Sequence, residues 1–318
     1  MAVTQNQPPG TPRARVPGPQ QPPPSYPRIP AGLWKRCLGI GLALWTLTAF
    51  VTYGTADVTP LPTLILLGGF LVPVSFALWA YERHGRDLGT SAVLGCFLAG
   101  GALGVLGASV TEYQLTRPSL WMYVGTGLAE EAVKLGALVF LLRRHTRIRG
   151  PRAGLVLGAT LGFGFAALES AGHAFDAAVS LQGVGLRTLL ETEILREVLT
   201  PFGHGLWTAV TGAALLARRR PDGRFRLTAR LAGACLGASL LHALRDSTHG
   251  IALWLVDRLT RAGLDGTRFA PGRPPRSTGG QDHLFTLFSV GGLFLVAIVG
   301  PAWARTPAHR DAAWRNTP

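Results

Sequence analysis

The chain has 318 residues, of which 47% are hydrophobic, 15% charged and 41 are glycine, and its apolar residues fall in long blocks. That excludes a soluble domain built from amphipathic stripes: windows near 20 residues are apolar all round, the length needed to span a bilayer. The formal charge of +14 does not point to nucleic acid, because the Lys and Arg residues sit in short clusters at predicted helix ends without aromatic interleaving.

Residues 1–31 are rich in Pro, Gln and Gly and read as a disordered cytoplasmic tail, since such a composition cannot bury enough apolar surface to fold. The first apolar run begins near Cys37, after Lys35 and Arg36, with no small-residue cleavage pattern behind it, so a retained signal anchor is expected. Hydropathy places spans at about 33–54, 61–81, 91–113, 119–142, 153–175, 197–217, 229–256 and 284–304. Residues 32–305 are therefore expected to form an all-α polytopic membrane helix bundle of about eight transmembrane helices, with a short cytoplasmic tail over 306–318.

Cys37, Cys96 and Cys235 each fall within an apolar span and form no CxxC pair, so they read as packing residues. Arg13, Arg15, Arg28, Lys35 and Arg36, then Arg83 and Arg86, then the loops at 143–152 and 218–230 all fall on one side of the bundle. By the positive-inside rule that side is cytoplasmic, which places both termini in the cytoplasm and the chain in the cell membrane, although the basic segment at 258–276 runs against this. Gly154, Gly158 and Gly162 repeat every four residues and are expected to let helix backbones approach closely.

Charge inside the spans is the feature that points to chemistry. Glu130, Glu131 and Lys134, then Glu169, then His204, then His242 with Arg245 and Asp246, all lie in predicted helices. A formal charge at the bilayer centre costs roughly 2.5–3.5 kcal/mol on insertion scales, so these side chains must meet each other or water. At about 1.5 Å per residue, Glu130 lies about 14 Å and His204 about 10 Å below the outer surface, while Glu169 and His242 rise from the cytoplasmic side to the middle or outer half. One shared site is expected. Glu130 and Lys134 share a helix face, with Glu131 about 100 degrees away, and His242 shares a face with Asp246, with Arg245 beside them.

Four motifs carry a family resemblance: EEAVK at 130–134, GFGFAALES ending at Glu169 and Ser170, REVLTPFGHGLWTAVTG at 196–212, and HALRD at 242–246. In order and spacing they resemble the PrsW-type intramembrane proteases, related more distantly to the CAAX prenyl-protease and bacteriocin-processing group. Ser170 stands where the family commonly has Asn, and Arg245 where it commonly has an aromatic residue. The resemblance implies an intramembrane peptidase embedded in the lipid bilayer. Its substrates would be single-pass membrane proteins, anti-sigma-factor-like by analogy, cut near the extracytoplasmic end of their anchor.

Peptide hydrolysis needs an activated water, a group to stabilise the oxyanion and an acid for the leaving amine. Glu130, with His204 close by, is the expected base, and Glu131 the other carboxylate able to fill that role. His242 and Asp246 would hydrogen-bond the oxyanion or protonate the leaving nitrogen, and Lys134, Glu169, Arg196 and Arg245 would support them. Proteases resembling this one are often called metalloproteases, and His204, His242 and Glu130 are the metal candidates, suited to zinc with water in the fourth position. No HExxH is present, so glutamate-type and metallo-type chemistry both stay open. The alternative is an ion- or proton-coupled membrane transporter using the same Glu/Lys/His cluster, which would favour inverted repeats that the two halves do not convincingly display.

Overall fold

Backbone polar groups in lipid must be satisfied within the protein, and apolar blocks of this length achieve that as helices. The computed structural model describes residues 30–114, 120–180, 183–260 and 279–315, and among these the blocks form α1 (Leu33–Thr55), α2 (Leu61–His84), α3 (Thr90–Gln114), α4 (Leu120–Leu142) and α5 (Pro151–Ala178). After a two-residue antiparallel bridge, Val179–Ser180 with Gly183–Val184, come α6 (Leu186–Leu199), a 3-10 turn (Thr200–Phe202), α7 (His204–Ala217), α8 (Ala229–Thr260) and α9 (Gly279–Arg315). α1, α2, α5 and the Gly279–Ala302 part of α9 are each long and apolar enough to cross a membrane. The protein is an all-α polytopic membrane bundle.

The sixth expected span differs from expectation. Instead of one helix over 197–217 there are two 14-residue helices, α6 and α7, separated by the turn that contains Pro201. Fourteen residues reach roughly 21 Å, short of the ~30 Å hydrocarbon core. Pro201 lacks an N–H and Gly203 follows it, so the helix ladder is interrupted just before His204, which becomes the first residue of α7 and not a mid-helix residue. α9 continues past the expected boundary at 305 to Arg315. The tail expected over 1–31 lies, through residue 29, outside the described residues, as does most of the basic 258–276 segment.

α5 is the hub of the bundle, with 78% of its most apolar window buried. α7, α3 and α2 are its main neighbours. Gly154, Gly158 and Gly162 face α7 so closely that a Cβ would overlap the backbone carbonyls of Gly212, Thr208 and His204 in turn, while Gly164 and Gly100 allow the same approach between α5 and α3. The Gly162 contact holds the backbone of His204 itself. Replacing Gly158 with Leu is expected to destabilise the protein by about 1–3 kcal/mol, the usual cost of overpacking, whereas Gly172→Ala meets open space and is expected to be tolerated. Thermal melts of the two variants in detergent check this.

α6 docks through carboxylates. Glu193, 3% exposed, accepts the Trp45 indole N–H at 2.7 Å, and Gly68 of α2 leaves the room its carboxylate needs. Glu197 accepts the Val72 N–H at 3.2 Å, next to Pro73, where the α2 ladder is opened by the proline ring. At the other end of the bundle Arg219 donates to the carbonyls of Leu142, His145 and Ile148, so the basic loops after α4 and α7 meet there.

Candidate active site

α4 brings three charges into the bundle. Lys134 is 1% exposed, and its Nζ lies 2.8 Å from Glu131 Oε1, 3.4 Å from Glu130 Oε2 and 2.9 Å from His204 Nδ1. The Phe165 ring of α5 covers the same ammonium at 3.8 Å. A buried cation needs this degree of compensation, because an unpaired one would lose its hydration without replacement.

α8 supplies the second imidazole. His242 Nε2 lies 3.3 Å from Glu130 Oε2 and 3.2 Å from Asp246 Oδ2, and Nδ1 lies 3.2 Å from Glu131 Oε1. α5 and α6 complete the cluster. Glu169 Oε2 is 2.8 Å from His204 Nε2 and 3.0 Å from the Arg196 guanidinium, whose Nε donates to Ser170 Oγ at 3.1 Å. The two imidazole rings are 4.8 Å apart, centre to centre.

All nine residues expected at the site are therefore brought together, and three details differ from expectation. Glu131 does not turn away: a lysine three residues on reaches both carboxylates, and His242 from α8 meets Glu131 as well as Glu130. His242 is the imidazole in contact with Glu130, while His204 takes Glu169 as its carboxylate. Arg245 lies against His204, with NH1 2.7 Å from Nε2. Sequence reasoning missed Phe165 and also His173, 3.6 Å from Glu169, although the Glu169–His173 spacing of four residues was a legible signal.

A cavity of about 480 Å³ opens onto the cluster. Glu130, Glu169, Arg196, Arg245 and Asp246 line it, together with apolar groups from α4, α6 and α9 such as Met122, Leu195 and Leu293. Glu131, Lys134, His204 and His242 stand behind that wall, each no more than 2% exposed. The larger hollow of about 660 Å³ runs along α1 alone and brings no ionisable group with it.

Donor types and spacing suit a three-ligand metal centre, since ligand atoms of Glu130, His204 and His242 lie within 4.8 Å of one another. Their partners do not suit it. A metal takes an imidazole lone pair, but both nitrogens of His204 already face donor-only cations, Lys134 at Nδ1 and Arg245 at Nε2. His242 faces carboxylates at both nitrogens and so is placed to donate from each. Lys134 already stands as the cation among Glu130, Glu131 and His204. As arranged, these residues do not fit a bound metal.

Three carboxylates and two guanidinium groups thus line a cleft within the membrane bundle, with two imidazoles directly behind them. The chain matches the model for the PrsW family intramembrane metalloprotease over residues 88–260, more than half its length, and belongs to that family. Membership supports a membrane peptidase activity. Comparison with curated proteins and with solved structures returns no match.

Proposed function

We propose that this protein hydrolyses peptide bonds of single-pass membrane proteins through a water activated by Glu130, without a metal. One observation carries the reading: Glu130 is the α4 carboxylate that lines the cavity, and it is backed by His242 at 3.3 Å. Glu131, which does not line it, is held between Lys134 and His242 and acts as their anchor. A reacting water in the cleft gives a proton to Glu130 as its oxygen adds to the scissile carbonyl carbon. When the C–N bond then breaks, that proton reaches the leaving nitrogen through the His242–Asp246 pair, and Asp246 itself faces the cleft. His204, fixed by Lys134, Glu169 and the backbone contact to Gly162, sets the rear wall.

Substrate class and membrane side belong to the same proposal. The mouth of the cleft combines leucines and Met122 with Arg196 and Arg245, as suits an apolar segment unwound at one polar stretch. The meeting of the two basic loops at one end of the bundle supports a cytoplasmic assignment for that end, with both termini there. Glu130 is then roughly 18 Å from the cytoplasmic end of α4, which favours cleavage toward the extracytoplasmic part of an anchor, as for an anti-sigma-factor-like substrate in the cell membrane.

The test is purified protein in liposomes with a single-pass reporter, beside Glu130→Gln and His204→Ala. Cleavage is expected to survive prolonged chelation within about twofold, since the cation in the site is a lysine ammonium. Loss of cleavage on chelation, restored by zinc, would replace this reading with a metal-dependent one.

A further inference from the structure

The structure carries an inference about Arg245 that rests on the proposed peptidase reading and deepens it. Arg245 follows His242 by three residues on α8, so both project to the same side of the helix. Its NH1 lies 2.7 Å from His204 Nε2, a hydrogen bond that occupies one arm of the guanidinium fork. Among the described residues no carboxylate is in ion-pair contact with Arg245. The guanidinium thus spends one of its five N–H donors on His204 and stands in the wall of the cleft beside Glu130 and Asp246, its other donors not engaged by a carboxylate among the described residues.

We propose that Arg245 is the oxyanion-stabilising catalytic residue of this protein, donating to the carbonyl oxygen of the scissile peptide as water adds. The other cations are committed: Lys134 is enclosed by Glu130, Glu131 and His204, and Arg196 is paired with Glu169. Water oxygen bonds to the carbonyl carbon, its proton goes to Glu130, and the carbonyl π pair moves onto oxygen, where the Arg245 N–H groups meet the new charge. On collapse the pair returns, the C–N bond breaks and the amine leaves with the proton. The position of Arg245 in an apolar-rimmed cleft makes such a contact stronger than it would be in water.

The experiment compares parent, Arg245→Gln and Arg245→Lys on the same reporter, with a peptidyl aldehyde whose hydrate mimics the tetrahedral species. Arg245→Gln is expected to lower kcat about 10²–10³-fold with KM unchanged, and to weaken the aldehyde by the same factor. Arg245→Lys keeps the charge but not the fork and is expected to lose about tenfold in both. Unchanged kcat, or a rise in KM with kcat kept, overturns the proposal, the latter marking an anchor for an acidic substrate side chain. Should Arg245→Gln not fold, Arg245→Lys decides by the same two readings. A dead Glu130→Gln beside a fully active Arg245→Gln sinks this inference alone, whereas an active Glu130→Gln sinks the reading beneath it.

Discussion

Glu130→Gln is expected to lower kcat by about 10²–10⁴-fold, the range removed with a general base, while the protein stays folded. Folding should hold because Gln is nearly isosteric and the remaining charges stay paired: Lys134 keeps Glu131 at 2.8 Å, and His242 keeps Glu131 and Asp246. Reporter cleavage together with a thermal melt reads both halves of the prediction. Glu131→Gln provides the contrast. It breaks the closest contact of Lys134 and should lower stability more than Glu130→Gln does. A fully active Glu130→Gln with an inactive, folded Glu131→Gln would exchange their roles.

Lys134→Met is expected to be the most destabilising single change in the site, by about 3–5 kcal/mol, the cost of removing one partner from a buried ion pair. Methionine matches much of the stem but leaves Glu130 and Glu131, both under 5% exposed, without their shared cation, and removes the donor to His204. It also strips the charge from above the Phe165 ring. The double variant Lys134→Met with Glu131→Gln should recover part of the loss, because the charge left unpaired is removed with it. Melting temperatures of the four proteins close the cycle. A Lys134→Met variant as stable as the parent would mean that the cluster is solvated and not a sealed charge network.

Alone, the sequence determined the features that depend on neighbours along one helix. Apolar block length set α1 to α5, α8 and α9 as single helices, because lipid demands a continuous helical ladder. The four-residue spacings predicted Glu130 with Lys134 and His242 with Asp246, and both pairs meet, since residues four apart are adjacent on any α-helix. The cost of charge in lipid predicted convergence, and ligand atoms of Glu130, His204 and His242 do come within 4.8 Å.

Only the tertiary structure decided which partner each group took across the bundle. Rotation of α8 against α4 gave His242 to Glu130, and the break at Pro201 and Gly203 let α7 begin at His204, delivering that ring to Lys134 and Glu169. Packing also divided α6, turning Arg196 toward Glu169 and Glu193 toward Trp45. Such choices rest on helix rotation and on how near two backbones come, as where Gly162 admits the His204 carbonyl. Those are properties of contacts between distant segments, and spacing along the chain does not encode them.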